Sequence, residues 1–199
     1  GTAAGDFEFA TTNMRIGVTP SVELDIAVRP FGITDPGGSG ARTAGVGAVD
    51  LRAKINLWGN DGGGSALALL PYVSIPVQRR DVAESLAPDF GLLVPLALDL
   101  GGRFGLGLNA GINARVDEPG SGYRLHGIAT ASLAVSWSDA IGSYFEIAGD
   151  AGNGLVSTSL NTGITWQVSD RLQLDTGTQF GVTGDAPRFA PFIGFSLRL

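Results

Sequence analysis

The chain has 199 residues, of which 44% are hydrophobic and only 16% are charged, and its net charge is −6. Soluble domains carry about 25% charged residues and nucleic-acid-binding surfaces need a basic patch, so the composition argues against both classes. Cysteine is absent and His126 is the single histidine, which leaves no disulfide, no thiolate metal site and too few ligands for zinc. We therefore predict no metal and no cofactor.

Alternating apolar and polar residues predict eleven β-strands, each about ten residues long. In chain order they cover residues 7–18, 22–31, 46–58, 65–76, 90–100, 104–115, 123–137, 141–149, 155–168, 172–182 and 189–199. Short turns, such as 19–21 and 101–103, alternate with longer loops at 32–45, 77–89 and 116–122. This alternation is typical of an up-and-down outer-membrane barrel and not of a Greek-key sandwich. We expect one all-β domain over residues 1–199.

The two faces of these strands differ in chemistry. In LQLDTGTQFGV (172–182) leucine, threonine, phenylalanine and valine alternate with glutamine, aspartate and glycine. Across the strands one face is apolar and uncharged, and the other combines small residues with acids and arginines. A soluble barrel would have a lysine- and glutamate-rich outside and large side chains inside. We therefore predict that the apolar face contacts lipid, and a soluble lipocalin-like binder remains the alternative.

All three tryptophans, Trp58, Trp137 and Trp166, stand at strand ends just before a short turn. Phe31, Phe90, Tyr123, Phe180 and Phe189 lie near the opposite, long-loop ends. Two aromatic girdles that flank an apolar band are the interfacial signature of a membrane barrel. We predict that the tryptophans form a membrane-interface belt.

The polar face contains the candidate functional residues. As lumen and selectivity candidates we take Asp50, Arg52, Lys54, Asp99, Asn109, Arg115, Arg124, His126, Glu146 and Asp175. Rings of charged side chains select ions in channels, but opposite charges can also pair and seal a narrow lumen. Both interpretations stay open. If a path exists, small residues including Gly91, Gly105 and Gly107 leave room for it.

Motifs for catalysis are weak. His126 lies on the polar face, and no GxSxG elbow accompanies it, because GGSGA (37–41) fails at the last position. A hydrogen-bonded lumen histidine is the preferred interpretation, so we predict that the protein is not an enzyme. GNDGGG (59–64) lacks the carboxylate repeat of a calcium loop and is interpreted as a glycine turn.

The stretch VDLRAKINLWGNDGGGSALALLPYVSIPV (49–77) resembles the bacterial family described as "putative meta-pathway of phenol degradation". TNMRIGVTPSVELDIAV (12–28), GLLVPLALDL (91–100) and LQLDTGTQFGVTGDAPRFAPFIGFSLRL (172–199) match the same pattern. The resemblance implies a Gram-negative outer-membrane β-barrel associated with the degradation of aromatic compounds. It implies a role in the passage of small, apolar molecules. Independently of the resemblance, eleven or twelve strands with a polar inner face predict a narrow polar lumen, so small apolar or aromatic molecules are the expected solutes. The resemblance gives no substrate-binding residues.

Two features depart from outer-membrane barrels. The chain ends in Leu199 instead of an aromatic residue, and eleven strands is an odd number where single-chain bacterial barrels are even. We expect about 12 strands, the first preceding residue 7. The expected partners are the lipid bilayer and small-molecule solutes, without nucleic acid, and we favour a monomer. A closed structural barrel whose loops 32–45 and 77–89 bind an outside partner is the alternative function.

Overall fold

A computed structural model describes residues 5–9, 11–28, 31–35, 43–45, 47–59, 61–77, 87–116, 122–183, 186 and 188–199. Most of the predicted loops 77–89 and 116–122 lies outside these residues, and so does Asn60 of the predicted glycine turn. The described residues include no helix that is long and apolar enough to cross a membrane.

The described residues form fourteen β-strands. They are β1 (Gly5–Phe9), β2 (Thr12–Thr19), β3 (Val22–Val28), β4 (Phe31–Asp35), β5 (Thr43–Gly45), β6 (Ala48–Trp58), β7 (Ser65–Pro76), β8 (Asp89–Gly101), β9 (Phe104–Arg115), β10 (Arg124–Ser136), β11 (Ile141–Gly152), β12 (Leu155–Ser169), β13 (Leu172–Gly181) and β14 (Phe189–Leu197).

Eleven of these strands make one sheet in the order β14-β13-β12-β11-β10-β9-β8-β7-β6-β3-β2. Each strand follows its neighbour in the chain, apart from the step from β3 to β6, and the pairs with a described register are antiparallel. The eleven predicted strands correspond one to one with these eleven, so the prediction of an up-and-down antiparallel sheet is confirmed. The ladder is irregular between Gly17 and Thr19 and between Gln167 and Ser169.

The N-terminal region differs from the prediction. The predicted strand 7–18 is divided into β1 and β2, and the predicted loop 32–45 contains most of β4 and all of β5. β1, β4 and β5 form a separate three-stranded antiparallel sheet. Interpreting 32–45 as a loop was wrong because strands of three to five residues are too short to give a clear period-two signal.

The chain divides into two compact units. The first comprises Gly1–Ile55, Leu69–Leu92 and Asn113–Leu125, and the second comprises Asn56–Ala68, Leu93–Ile112 and His126–Leu199.

Burial is inverted relative to a soluble protein. The exposed large side chains are mainly apolar and lie on one side of the strands, for example Leu125, Phe145, Leu160, Ile193 and Phe195. Among the described residues, the buried polar side chains are Asp25, Asp50, Asn113, His126 and Ser159, and the buried apolar ones are Ala27, Ala68, Val135 and Ala186. Large exposed apolar surfaces mark membrane or partner contacts, so the apolar face of the sheet is suited to lipid.

Candidate functional site on the polar face

In the first unit, opposite charges alternate across β2, β3 and β6. The ladder places Arg15 opposite Asp25 and Asp25 opposite Arg52. One row further along, Glu23 lies opposite Lys54. Opposite charges that face each other across strands stabilise a sheet by about 0.2–1 kcal/mol. The polar face of β2, β3 and β6, which we call the mixed-charge wall, therefore carries acidic and basic side chains in almost equal number.

Asp50 is the best-connected acid of that wall. The Arg52 guanidinium donates to its Oδ2 over 2.9 Å, and the Ser74 hydroxyl donates to its Oδ1 over 2.6 Å. Asp50 is buried, and a buried carboxylate needs such partners to stay charged. The sequence analysis named Asp50 and Arg52 as lumen candidates without pairing them, and it did not identify Ser74. Ser74 shows no signal in the sequence beyond its polar-face position on β7.

Tyr72 fills space that the sequence analysis assigned to a path. A Cβ built on Gly91 would lie 2.2 Å from Cε1 of Tyr72, so the tyrosine ring covers this glycine. Only glycine permits such a close approach of a ring to the backbone. Gly91 therefore accommodates Tyr72 and does not leave room in the lumen.

An aromatic contact lies at the long-loop ends of the strands in the same unit. The Tyr123 hydroxyl donates to the Pro88 carbonyl over 2.8 Å, and the rings of Phe90 and Tyr123 are 5.9 Å apart. Arg115 ends β9 and is half-buried, whereas Arg124 begins β10 and is exposed. The two arginines thus lie at strand ends next to predicted long loops.

In the second unit, Asp99 has a local role in a turn. Its Oδ1 accepts a hydrogen bond from the Gly101 amide over 2.8 Å. Gly101 and Gly102 have φ of 88° and 62°, the left-handed conformations that a tight turn assigns to glycine. The Asp99 carboxylate therefore stabilises the turn after β8. Asn109 lies further along β9, half-buried on the polar face, and its Oδ1 has no hydrogen-bond partner among the described residues.

His126 is the most deeply buried large side chain described, at 1% exposure. Its Nδ1 lies 3.4 Å from Oδ1 of Asp150, which is partly buried on β11. The sequence analysis predicted a hydrogen-bonded lumen histidine. The structure shows His126 buried, next to a carboxylate that the sequence analysis did not single out. The signal for Asp150 was its polar-face position on the strand next to His126.

Strands β11 to β14 form an acidic wall in the second unit. These four strands contain no lysine, arginine or histidine, and their polar face contains Glu146, Asp150 and Asp175. The Asn161 amide donates to Glu146 Oε1 over 2.8 Å. The Asp175 carboxylate lies over Gly194, where a Cβ would be 2.8 Å from Oδ2.

The tryptophans occupy the short-turn ends, as predicted. Trp58 and Trp137 are half-exposed, and their indole N–H groups donate to Ser65 and Ser143 over 3.2 Å and 2.9 Å. Trp166 lies opposite Ile141, the first residue of β11. Arg103, in the turn after β8, lies 5.4 Å above the Trp137 ring. An aromatic ring with a satisfied N–H beside a cation suits the membrane–water interface.

Comparison with solved structures identifies the fold. The chain is similar to the NanC porin, with a TM-score of 0.61, 8% sequence identity, and coverage of 94% of this chain and 97% of that chain. It also matches the outer-membrane channel DcaP of Acinetobacter baumannii, with a TM-score of 0.37, 9% identity, and coverage of 93% of this chain and 60% of that chain. The predicted transmembrane β-barrel class is confirmed by the first likeness. Strand-built spans with an exposed apolar band belong to the bacterial outer membrane, so the predicted location is confirmed as well.

A family model described as "Putative MetA-pathway of phenol degradation" matches residues 5–199. The resemblance found in the sequence is thereby confirmed over nearly the whole chain. No curated protein matches the chain.

Proposed function

The chain belongs to this family, and on that premise we propose that it is an outer-membrane channel for small molecules, including apolar or aromatic ones, with a narrow polar lumen. The observation that carries the proposal is the inverted burial, with exposed apolar side chains on one face and buried acids on the other. About 12 strands enclose a space between that of filled eight-stranded barrels and open sixteen-stranded porins. Such a lumen suits solutes of one or two rings.

The two units suggest different roles for the candidate residues. Asp50 and Arg52 are tied to each other and to Ser74, which supports a structural role. Glu146 and Asp175 lie on a wall without basic residues, and the pair therefore has a net charge that a passing solute would sense. We take Glu146 and Asp175 as the selectivity residues.

The proposed role is not enzymatic. Hydrolysis by a histidine needs a nucleophile that substrate can reach. His126 is almost fully buried beside Asp150, which supports a structural role. The name of the DcaP protein describes a channel, but it is the burial pattern of this chain that supports the proposal.

Single-channel conductance of the refolded protein in a planar bilayer tests the proposal. We expect discrete current steps, and a salt gradient across the bilayer should give a reversal potential that indicates a preference for cations. The double variant Glu146→Gln/Asp175→Asn should move the reversal potential toward zero, because it removes two acids from the pathway.

Asp139→Asn is the matched control, since it removes one acid from an exposed short turn and should leave the reversal potential unchanged. A silent bilayer, from protein with the heat-modifiable gel migration of an inserted barrel, would overturn the channel. It would favour the alternative of a closed barrel that binds a partner through its outer loops.

A further inference from the structure

Four neighbouring strands align two aromatic residues and two glycines in one row of the polar face. The register pairs Tyr144 with Gly163, Gly163 with Gly177 and Gly177 with Phe192. All four residues belong to the second unit. A period-two pattern identifies each as a polar-face residue, but only the ladder places them side by side.

Both rings lie across the glycines of the row. A Cβ on Gly163 would be 2.6 Å from Cε1 of Tyr144, and a Cβ on Gly177 would be 2.7 Å from Cε1 of Phe192. Each ring therefore lies against the backbone of a glycine on the neighbouring strand. The covered glycines are one strand spacing apart, about 4.8 Å. The two rings thus lie in one row of the polar face, and we call this pair of rings the aromatic platform.

Small residues continue the row beside the platform. The row continues from Tyr144 to Ala134 on β10, and Gly105 on β9 would bring a Cβ only within 3.9 Å of Ala134. Phe192 is 42% exposed, although it is on the polar face and not the lipid face. Phe192 lies on β14, the end strand of the large sheet, and its exposed ring is available to stack with a flat solute.

One carboxylate stands on each side of the platform. Glu146 lies one row toward the long-loop end, opposite Asn161, and Asp175 lies one row toward the short-turn end, opposite Thr165. Two residues along a strand span about 6.8 Å. Oδ1 of Asn161, next to the platform, is buried and has no hydrogen-bond partner among the described residues. No basic residue of β11–β14 neutralises these groups.

We propose that the aromatic platform and its two carboxylates form a binding subsite for an aromatic solute that carries an ammonium group. The solute ring stacks on the platform, while its cation lies near a carboxylate and over a ring face, where the quadrupole attracts positive charge. An aromatic anion is repelled by both carboxylates. This proposal rests on the proposed function, because the solute reaches the subsite through the lumen.

Block of the single-channel current by benzyltrimethylammonium tests the subsite. Two control probes distinguish the contribution of the ring from that of the charge. Tetramethylammonium has the positive charge without the ring, and benzenesulfonate has the ring with a negative charge. We expect benzyltrimethylammonium to block at a concentration at least tenfold below either control. The variant Tyr144→Leu/Phe192→Leu should weaken that block about tenfold, because each ring contributes a cation–π and stacking contact.

Asp175→Asn and Glu146→Gln test the contribution of the two carboxylates with little change of side-chain shape. They also test the subsite if the Tyr144→Leu/Phe192→Leu variant does not fold. Each should weaken benzyltrimethylammonium block by several-fold, whereas Asp139→Asn should leave it unchanged. Equal block by benzyltrimethylammonium and benzenesulfonate, or block that survives all the platform and carboxylate variants, would overturn the subsite while the channel itself stands.

A silent bilayer is a failure of the proposed function and not of the subsite. In that case, calorimetric titration of the detergent-solubilised barrel with the same three probes gives the answer. Heat of binding with benzyltrimethylammonium that is lost in Tyr144→Leu/Phe192→Leu would support the subsite, and absence of heat would overturn it.

Discussion

Replacing Leu160 by arginine should cost about 2–4 kcal/mol of the free energy of unfolding, the range for arginine at the midplane of a barrel's lipid face. Leu160 is half-exposed on the apolar face of β12, six residues before Trp166. With a rise of about 3.4 Å per residue and a strand tilt of about 40°, Leu160 lies roughly 16 Å from the level of Trp166 along the membrane normal. The apolar band of such barrels is about 25 Å tall, so Leu160 is close to its centre.

Val168→Arg is the control near the end of the same strand, within the irregular step of the ladder between Gln167 and Ser169. Val168 is 42% exposed and lies two residues beyond Trp166, so the cost there should be about 0–1 kcal/mol. Equilibrium unfolding by urea in phosphatidylcholine vesicles, followed by tryptophan fluorescence, measures both costs with all three tryptophans in place. Equal costs at the two positions would refute the assignment of the apolar face to lipid.

Three further predictions address packing, pairing and depth. Gly177→Ala should destabilise by about 1–3 kcal/mol, because its Cβ would be 2.4 Å from a backbone oxygen, whereas Gly105→Ala has 3.9 Å of clearance and should be neutral or stabilising; similar urea midpoints for the two would contradict this. Ser74→Ala should cost about 1–3 kcal/mol by removing the hydroxyl donor to buried Asp50, and Ser74→Thr should cost less in the same assay; an equal loss in both would show that the hydroxyl is not what matters. The tryptophans should be quenched more by lipids brominated near the headgroup than by lipids brominated near the chain end, and the reverse order would refute the interface belt.

Much of the fold follows from the period-two pattern. Each of the eleven predicted strands overlaps a strand of the large sheet, because nine to fifteen alternating residues make a strong local signal. Most of β4 and all of β5 were missed because these strands are short. β1 was merged with β2, since sequence alone does not show that β1 pairs with a strand that is not its neighbour in the chain. Their pairing is a property of the folded chain, and a short window of sequence does not contain it.

The candidate site was predicted only in part. Alternation places the charges and glycines on the polar face of the strands, and their role there stays a prediction. The partner of each residue depends on the register between strands, which alternation does not contain. Tyr144 and Phe192 were not identified as site residues from the sequence, because no local sequence pattern indicates that each ring covers a glycine on the neighbouring strand.

The sequence by itself therefore determined the class of the protein, the bounds of most strands, the face that meets lipid and the ends that carry tryptophan. These properties depend on residue type and on a two-residue repeat within one strand. Only the tertiary structure decided which acids have cations beside them and which do not, and that the two rings form a single platform. The reason is physical: contacts across a sheet are set by the register of neighbouring strands, and a shift of two residues would preserve each face while changing every pair.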